Sequence, residues 1–401
     1  MDLVNFKWIR MKIKIFTLLV ILFFAQFGFS QINVQKEFEF AAQQYQGMLS
    51  SHPDLTQFPQ STNPDGSPGT RTSDWWCSGF FGGSLWYIYE FTRDPKWKEA
   101  ADRWTMAVEK EQYNTRTHDL GFMLYCPFGN GYRLTRNEIY KQVLLTGAKS
   151  LATRFDPKVG LIKSWDLFQN EYKYPVIIDN MMNLEFLLWA ARVSGNKEYY
   201  NICVNHADNT LKNHFRTDNS SYHVVCYGPS GEVLAKKTRQ GAADESAWAR
   251  GQAWGLYGYT VMYCETKDTK YLTQAHKIAS FILNNPYLPA DKVPYWDYSK
   301  PGEERDASAA AITASALLEL GQYSGKEQKK YYISMATKML KSLSSPAYRA
   351  KLGENNHFIL MHSTGHKPAN SEIDVPLVYA DYYYLEALLR YRKAEHNSGS
   401  N

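Results

Sequence analysis

The chain has 401 residues, 44% hydrophobic and 21% charged, enough for one large core or two ordinary domains. Its formal charge of +5 includes a basic leader. Without residues 1–30, which hold four bases and one acid, the charge is +2, and no basic block remains to suit nucleic acid. Aromatics reach 15%, with 11 Trp and 29 Tyr, which fits either a large core or sugar-stacking surfaces in a cleft. The five cysteines (Cys77, Cys126, Cys203, Cys226, Cys264) are an odd number without metal-ligand spacing. They read as buried small hydrophobes, with room for one disulfide of undetermined pairing.

Lys7, Arg10, Lys12 and Lys14 precede an apolar stretch, 15–29, that ends in small residues at Gly28-Phe29-Ser30. This pattern predicts a secretory signal peptide over 1–30, with Met11 as an alternative start, and export across the inner membrane to the periplasm. The stretch is too short to favour a membrane span, and no cysteine follows it to carry a lipid. Residues 31–401 then form a single predicted domain.

Helical periodicity dominates from there, in two alternating kinds. Amphipathic segments with Lys, Glu and Gln on one side are expected at 34–49, 95–112, 136–155, 196–215, 270–284 and 327–345. Between them fall segments apolar nearly all round and rich in small residues, at 78–91, a shorter 119–126, 179–194, 246–265, 306–322 and 374–390. A long proline-containing loop is expected over 51–72. A β-hairpin is expected at 222–227 and 232–237, around Gly228-Pro229-Ser230-Gly231. A helix that is hydrophobic all round is buried on all sides, while an amphipathic one covers a core. Six of each in alternation predict an all-α (α/α)6 barrel, six inner and six outer helices, with a small β-hairpin. A helical solenoid would show a fixed repeat, and none is present.

Each inner segment opens on or near a residue suited to N-capping: Ser78, Asp119, Asp179, Ser246, Asp306 and Asp374. In such a barrel these ends share one mouth, so the caps converge there, where helix dipoles favour anions. Asp119 and Asp179 form the leading acid/base pair, with His118 beside Asp119 and Asn180 and Asn183 after Asp179. Met181 and Met182 read as core. Trp75, Trp76 and Trp165 precede inner helices and suit sugar stacking or rim packing. Arg250, in a helix nearly free of charge, requires an anion, either an internal carboxylate or a substrate. His223 on the hairpin is a hydrogen-bond donor or a surface residue. His206 and His214 read as solvated, and Glu372 as support for the first turn of the last helix. No phosphate loop, nucleophile elbow or zinc spacing appears, so no metal or other cofactor is expected.

The blocks DWWCSGFFGGSLWYIYE, HDLGFM, VIIDNMMNLEFLLWAA, SAWARGQAWGLYGYT, DASAAAITASALLEL and SEIDVPLVYADYYYLEAL resemble glycoside hydrolase family 88, the unsaturated glucuronyl hydrolases, in family order. The resemblance implies an (α/α)6 barrel. It also implies removal of a 4,5-unsaturated uronic acid from the non-reducing end of lyase products by hydration of the C4=C5 bond. It makes Asp179 the general acid/base and Asp119 the second essential carboxylate. His118, His223, Gln240, Arg250, Trp254, Trp76 (or Trp75) and Trp165 become sugar-contacting residues. The implied partner is an anionic unsaturated oligosaccharide of glycosaminoglycan or ulvan type. The loop containing Ser363, His366 and Lys367 either contacts the next sugar or is an ordinary polar loop. Alternatives are an unsaturated rhamnogalacturonyl hydrolase and a non-catalytic carbohydrate-binding barrel.

Overall fold

Helices run in pairs along the chain, one buried nearly end to end and one half-exposed. A computed structural model describes residues 32–398. The expected signal peptide lies outside the described residues. Outer helices are α1 (Val34–Ser51), α3 (Pro95–Met106), α5 (Glu138–Ala152), α7 (Lys197–Asn213), α9 (Thr269–Asn284) and α11 (Lys326–Leu343). Inner helices are α2 (Gly79–Thr92), α4 (Asn130–Thr135), α6 (Leu184–Ser194), α8 (Ala249–Thr266), α10 (Ala307–Leu320) and α12 (Val378–Ser398). A π-helical stretch, Gly121–Gly129, leads into α4, and a 3-10 turn, Ile178–Asn183, leads into α6.

The periodicities explain the two layers. On α9 the buried residues Tyr271, Gln274, Ala275, Ile278, Ala279 and Ile282 recur at helical spacing and leave the opposite face wet. On α8 every residue from Ala249 to Met262 is buried. Contacts close the inner ring: α2 meets the lead-in of α4, then the chain passes through α6, α8, α10 and α12 back to α2. Each outer helix packs on its inner neighbours. The (α/α)6 architecture expected from the alternation is therefore the one observed. None of the described helices is long and apolar enough to cross a membrane.

The second inner element is longer than the expected 119–126. Pro127 has no N–H to donate, so the turns there widen to π geometry before α4 resumes. Asn130 Nδ2 fills part of the gap by donating to the Cys126 carbonyl at 2.8 Å.

Residues 51–72, expected to be a loop, instead contain the antiparallel pair β1 (Phe58–Thr62) and β2 (Pro68–Arg71), with a bulge between Pro59 and Ser61. The prolines sit where an edge ribbon tolerates them. A two-stranded pair, β3 (Phe155–Asp156) and β4 (Leu161–Ile162), follows α5. The predicted hairpin is present as β6 (Val224–Tyr227) and β7 (Val233–Lys237), and β5 (Pro175–Ile177) extends it to three strands. All five cysteines are free thiols, four of them buried.

The capping expectation is corrected in an informative way. Conventional caps lie on outer helices, where Asp94, Asn137, Asn196 and Asp268 accept the N–H two residues on. Of the six inner candidates Asp306 alone caps, accepting from Ser308 and Ala309 N–H. The hydroxyl of Ser78 donates to the Ser73 carbonyl and that of Ser246 to Asp297. Asp374 pairs with His362, ahead of α12. Asp119 and Asp179 cap no helix.

Gly121 sits where the lead-in of α4 crosses the turn before α6. Its N–H donates to Asn183 Oδ1 at 2.8 Å, and a Cβ there would fall 2.5 Å from that oxygen and 3.0 Å from the Asn183 Cα. Gly121→Ala is expected to destabilise the fold by about 2 kcal/mol through overpacking and the strained hydrogen bond. Chemical denaturation measures this, and an unchanged midpoint would show that the contact yields.

Candidate active site

Asp179 is the second residue of the 3-10 turn before α6, placed by the end of β5, whose neighbour β6 follows His223 directly. The Ile178 N–H donates to the His223 carbonyl at 3.0 Å, which ties the acid to the imidazole. The residue is 9% exposed, and its Oδ1 is buried without a hydrogen-bond partner. Burial is the main force raising its pKa. The Asp119 charge adds to the rise, while Arg250 and the Trp254 indole oppose it, and the result is about 7.

His223 faces this acid, with Nε2 3.7 Å from Asp179 Oδ1. Its other nitrogen, Nδ1, accepts the backbone N–H groups of Arg239 and Gln240, each at 3.1 Å. Two donors on Nδ1 put the ring proton on Nε2, directed at Asp179. Burial, then the charge of Arg250, holds the imidazole well below its ordinary pKa, so it stays neutral. The Trp248 ring lies 4.5 Å from it, and Trp165 meets it edge-on at 6.3 Å. Buried, it is no surface histidine.

Asp119 lies on the adjoining inner element. Thr117 holds it twice: the hydroxyl donates to Oδ2 at 2.9 Å and accepts the Asp119 N–H at 3.1 Å. His118 is fully buried, its Nε2 3.3 Å from Asp119 Oδ1, and burial lowers its pKa against the pull of Asp119. Two carboxylates and two neutral imidazoles thus share the mouth.

Arg250 has an internal partner. Nη1 donates to Asp306 Oδ2 at 2.9 Å and to the Thr364 carbonyl, and Nη2 donates to the Gly365 carbonyl. Gln240 Nε2 also donates to the Gly365 carbonyl, at 3.0 Å. The 363–366 loop is thereby clamped beside the site. Glu372 does not support α12. It sits against Gln60, with burial raising its pKa and Arg250 and Arg71 lowering it.

Trp76 turns inward onto Tyr379 at 4.9 Å and Phe122 at 5.5 Å, whereas Trp75 is 43% exposed under Arg71. Of the two, Trp76 is therefore the inward-facing ring. Trp254 is fully buried, 5.2 Å from Phe122 and 5.3 Å from Tyr383. Together with Phe80 these rings form an aromatic floor across the barrel. Phe122 and Tyr383 of that floor also line a cavity of about 690 Å³, together with Glu185 and Glu386. That cavity touches none of the nine expected site residues, and convergence of the carboxyls and imidazoles outweighs size in locating the chemistry.

Sequence reasoning missed two supports. Trp248 stacks between His223 and the Arg250 guanidinium, the latter at 4.5 Å. Arg154 donates to the carbonyls of Thr115, Lys163 and Ser164, joining the Trp165 loop to the segment leading to Asp119. A buried arginine at the end of an amphipathic helix was the available signal. His206 and His214, expected to be solvated, are fully buried instead. The first accepts the Ile162 N–H and the second donates to the Val176 carbonyl.

The Glycosyl Hydrolase Family 88 model matches residues 54–391. The chain is 46% identical over 365 residues to an unsaturated glucuronyl hydrolase of Formosa agariphila, covering 89% of this chain and 90% of the relative. It is 34% identical over 330 residues to an unsaturated chondroitin disaccharide hydrolase of Streptococcus agalactiae, covering 79% and 81%. Among solved structures it resembles an unsaturated glucuronyl hydrolase specific for heparin. That match has a TM-score of 0.88 and 48% identity, over 90% of this chain and 98% of the other. A glycosaminoglycan-degrading homologue from a Bacillus species gives a TM-score of 0.84 at 29% identity, over 89% and 96%.

Removing the Asp119 charge is expected to lower the Asp179 pKa from about 7, because a like charge that disfavours ionisation is gone. Carboxyl-selective NMR titration of Asp119→Asn reads this directly. A titration that stays in place or moves upward would show that the two groups are not coupled.

Proposed function

We propose a reaction for a chain that belongs to glycoside hydrolase family 88 and is an unsaturated glucuronyl hydrolase, a glycosidase. The substrate is a lyase-generated oligosaccharide bearing a 4,5-unsaturated uronic acid at its non-reducing end. Glycosaminoglycan products, named for the relatives above, are the leading class, and sulfated algal products such as ulvan fragments share the same reacting group.

The supporting observation is a buried carboxyl, Asp179, whose Oδ1 lacks a hydrogen-bond partner and lies 3.7 Å from His223 Nε2, burial raising its pKa to about 7. A carboxylic acid that keeps its proton near neutral pH can protonate C4 of the vinyl ether. Positive charge then develops at C5 and on the ring oxygen. Water adds at C5, and the carboxylate just formed takes a proton from that water. The hemiketal so produced opens and releases the remaining oligosaccharide. The reacting carbon–carbon bond lies away from the anomeric centre, so the carboxylate-separation rule for ordinary glycosidases does not apply.

The remaining groups suit binding. His223 Nε2–H and Asp119 can address sugar hydroxyls, and Trp76 and Trp165 are the candidate stacking rings. Arg250, although paired with Asp306, lends positive potential to a pocket that must accept the substrate's own carboxylate. Export to the periplasm by the expected leader would place the enzyme where lyase products arrive.

Three measurements test the proposal. Ultraviolet absorbance of the conjugated double bond is expected to decay when lyase products are added, and its persistence across sulfated and unsulfated panels would end the proposal. Asp179→Asn is expected to lower kcat about 10²–10⁴-fold with the fold retained. For the native enzyme kcat is expected to fall as pH rises above about 7, where Asp179 loses its proton. A rate that climbs through that range would assign the proton to another group.

A further inference from the structure

The cavity of about 690 Å³ holds a carboxyl that the hydrolase chemistry does not use. Glu185, in the first turn of α6, lines it half-buried and forms no ion pair or hydrogen bond among the described residues. The other carboxylates there are committed. Glu90 takes both Nη groups of Arg133, at 3.0 and 2.5 Å, and Glu386 accepts the hydroxyls of Tyr87, Tyr257 and Ser315. Glu319 accepts from Gln322 and Tyr323 and stands 3.7 Å from Arg390 Nε. The arginines are committed too: Arg192 to Glu265, and Arg390 to the Ser315 carbonyl and the Tyr257 hydroxyl. Arg136 and Lys393 are exposed, the first over the Tyr132 ring at 5.5 Å and the second acting on Glu90.

Much of the charge around Glu185 has its own sign. Burial is the main force raising its pKa, the carboxylates of Glu386, Glu265 and Glu319 add to the rise, and Arg390 opposes it. The result is about 8. The phenols of Tyr125, Tyr257 and Tyr383 feel the same carboxylate, as does Arg192 on its own helix. The Tyr125 ring packs 6.0 Å from that of Trp189, which also lines the cavity. An unpaired carboxylate among ring faces is a setting that attracts an organic cation. An anion would meet arginines already paired with carboxylates.

We propose that this cavity binds a small primary amine as its ammonium ion, with Glu185 as the counter-charge and Tyr125 and Trp189 as walls. The ammonium donates to the carboxylate, and the rings take the apolar body of the ligand. The volume is in the range that holds a small molecule. Glu90, Arg192 and Glu319 belong to the last turns of their helices, whereas Asp179 and Asp306 stand before the first turns of theirs. The site is therefore distinct from the one that holds the sugar, and it stands whichever sugar the enzyme takes. Binding the ionised carboxylate expels the Glu185 proton, so the apparent affinity rises as pH rises through about 8.

The test is calorimetric titration of the full enzyme with phenethylammonium, beside its neutral isostere phenethyl alcohol. The amine is expected to saturate one site, about tenfold more tightly at pH 9 than at pH 7. Proton release is read from the dependence of the heat on the buffer's ionisation enthalpy. Glu185→Gln is expected to weaken binding about tenfold at pH 9 and to remove the pH dependence, with the native helical content retained. Asp179→Asn is expected to bind the amine as the native enzyme does. Equal uptake of the alcohol, undiminished binding in Glu185→Gln, or lost binding in Asp179→Asn overturns the assignment. So does the absence of saturable binding to the native enzyme at pH 9. Should Glu185→Gln not fold, proton release and the alcohol comparison on the native enzyme decide.

Discussion

The site depends on one constraint: a carboxyl must be kept from water without being given a counter-charge. Asp179 meets it because the group facing it is an imidazole held neutral. Had the His223 proton been free to move to Nδ1, Nε2 would present a lone pair to the acid. Had the ring been charged, it would have drawn the proton off. The backbone N–H groups of Arg239 and Gln240 remove the first option, and burial with Arg250 nearby removes the second. The loop 239–246 is in turn held by Asp297, which accepts the Ala242 N–H and the Ser246 hydroxyl. A proton donor near neutrality is thus a property of a chain of supports and not of one residue.

The same burial has a sign for stability. Asp179 and Asp381 each carry a pKa raised to about 7, mainly by burial. A carboxyl whose folded pKa exceeds its unfolded value contributes stability that is complete below the unfolded value. That contribution is lost as pH rises through about 7. Asp381 limits its own cost by accepting the Ile359 and Leu360 N–H groups, whereas Asp179 Oδ1 accepts none. The group left exposed to this penalty is the one assigned the chemistry.

Much of this was legible beforehand because it rests on periodicity. The inner and outer helices follow from where apolar residues recur, and the hairpin follows from Gly228-Pro229-Ser230-Gly231. Legibility failed where side chains chose among partners. Asp119 and Asp179 looked like caps because aspartate before an apolar run usually is one. Only packing shows that Thr117 holds the first and that the second is left bare. The pairing of Arg250 with Asp306 joins residues 56 apart in sequence, and spacing alone left it open. Residues 51–72 looked structureless because their prolines hide a ribbon whose edges tolerate them. His206 and His214 looked wet because polar neighbours surround them on and just after α7, yet the first meets Ile162 of β4 and the second Val176 of β5.

The floor of the site is ring packed on ring, Trp76 on Phe122, Phe122 on Trp254 and Trp254 on Tyr383. A tube would let a polymer thread through, and a groove would let it bind anywhere along its length. A blind well admits only a chain end and empties by the route it was filled. On such a floor successive units would not be drawn through, and the molecule would let go after each removal and start again. Its throughput would then follow the number of ends available.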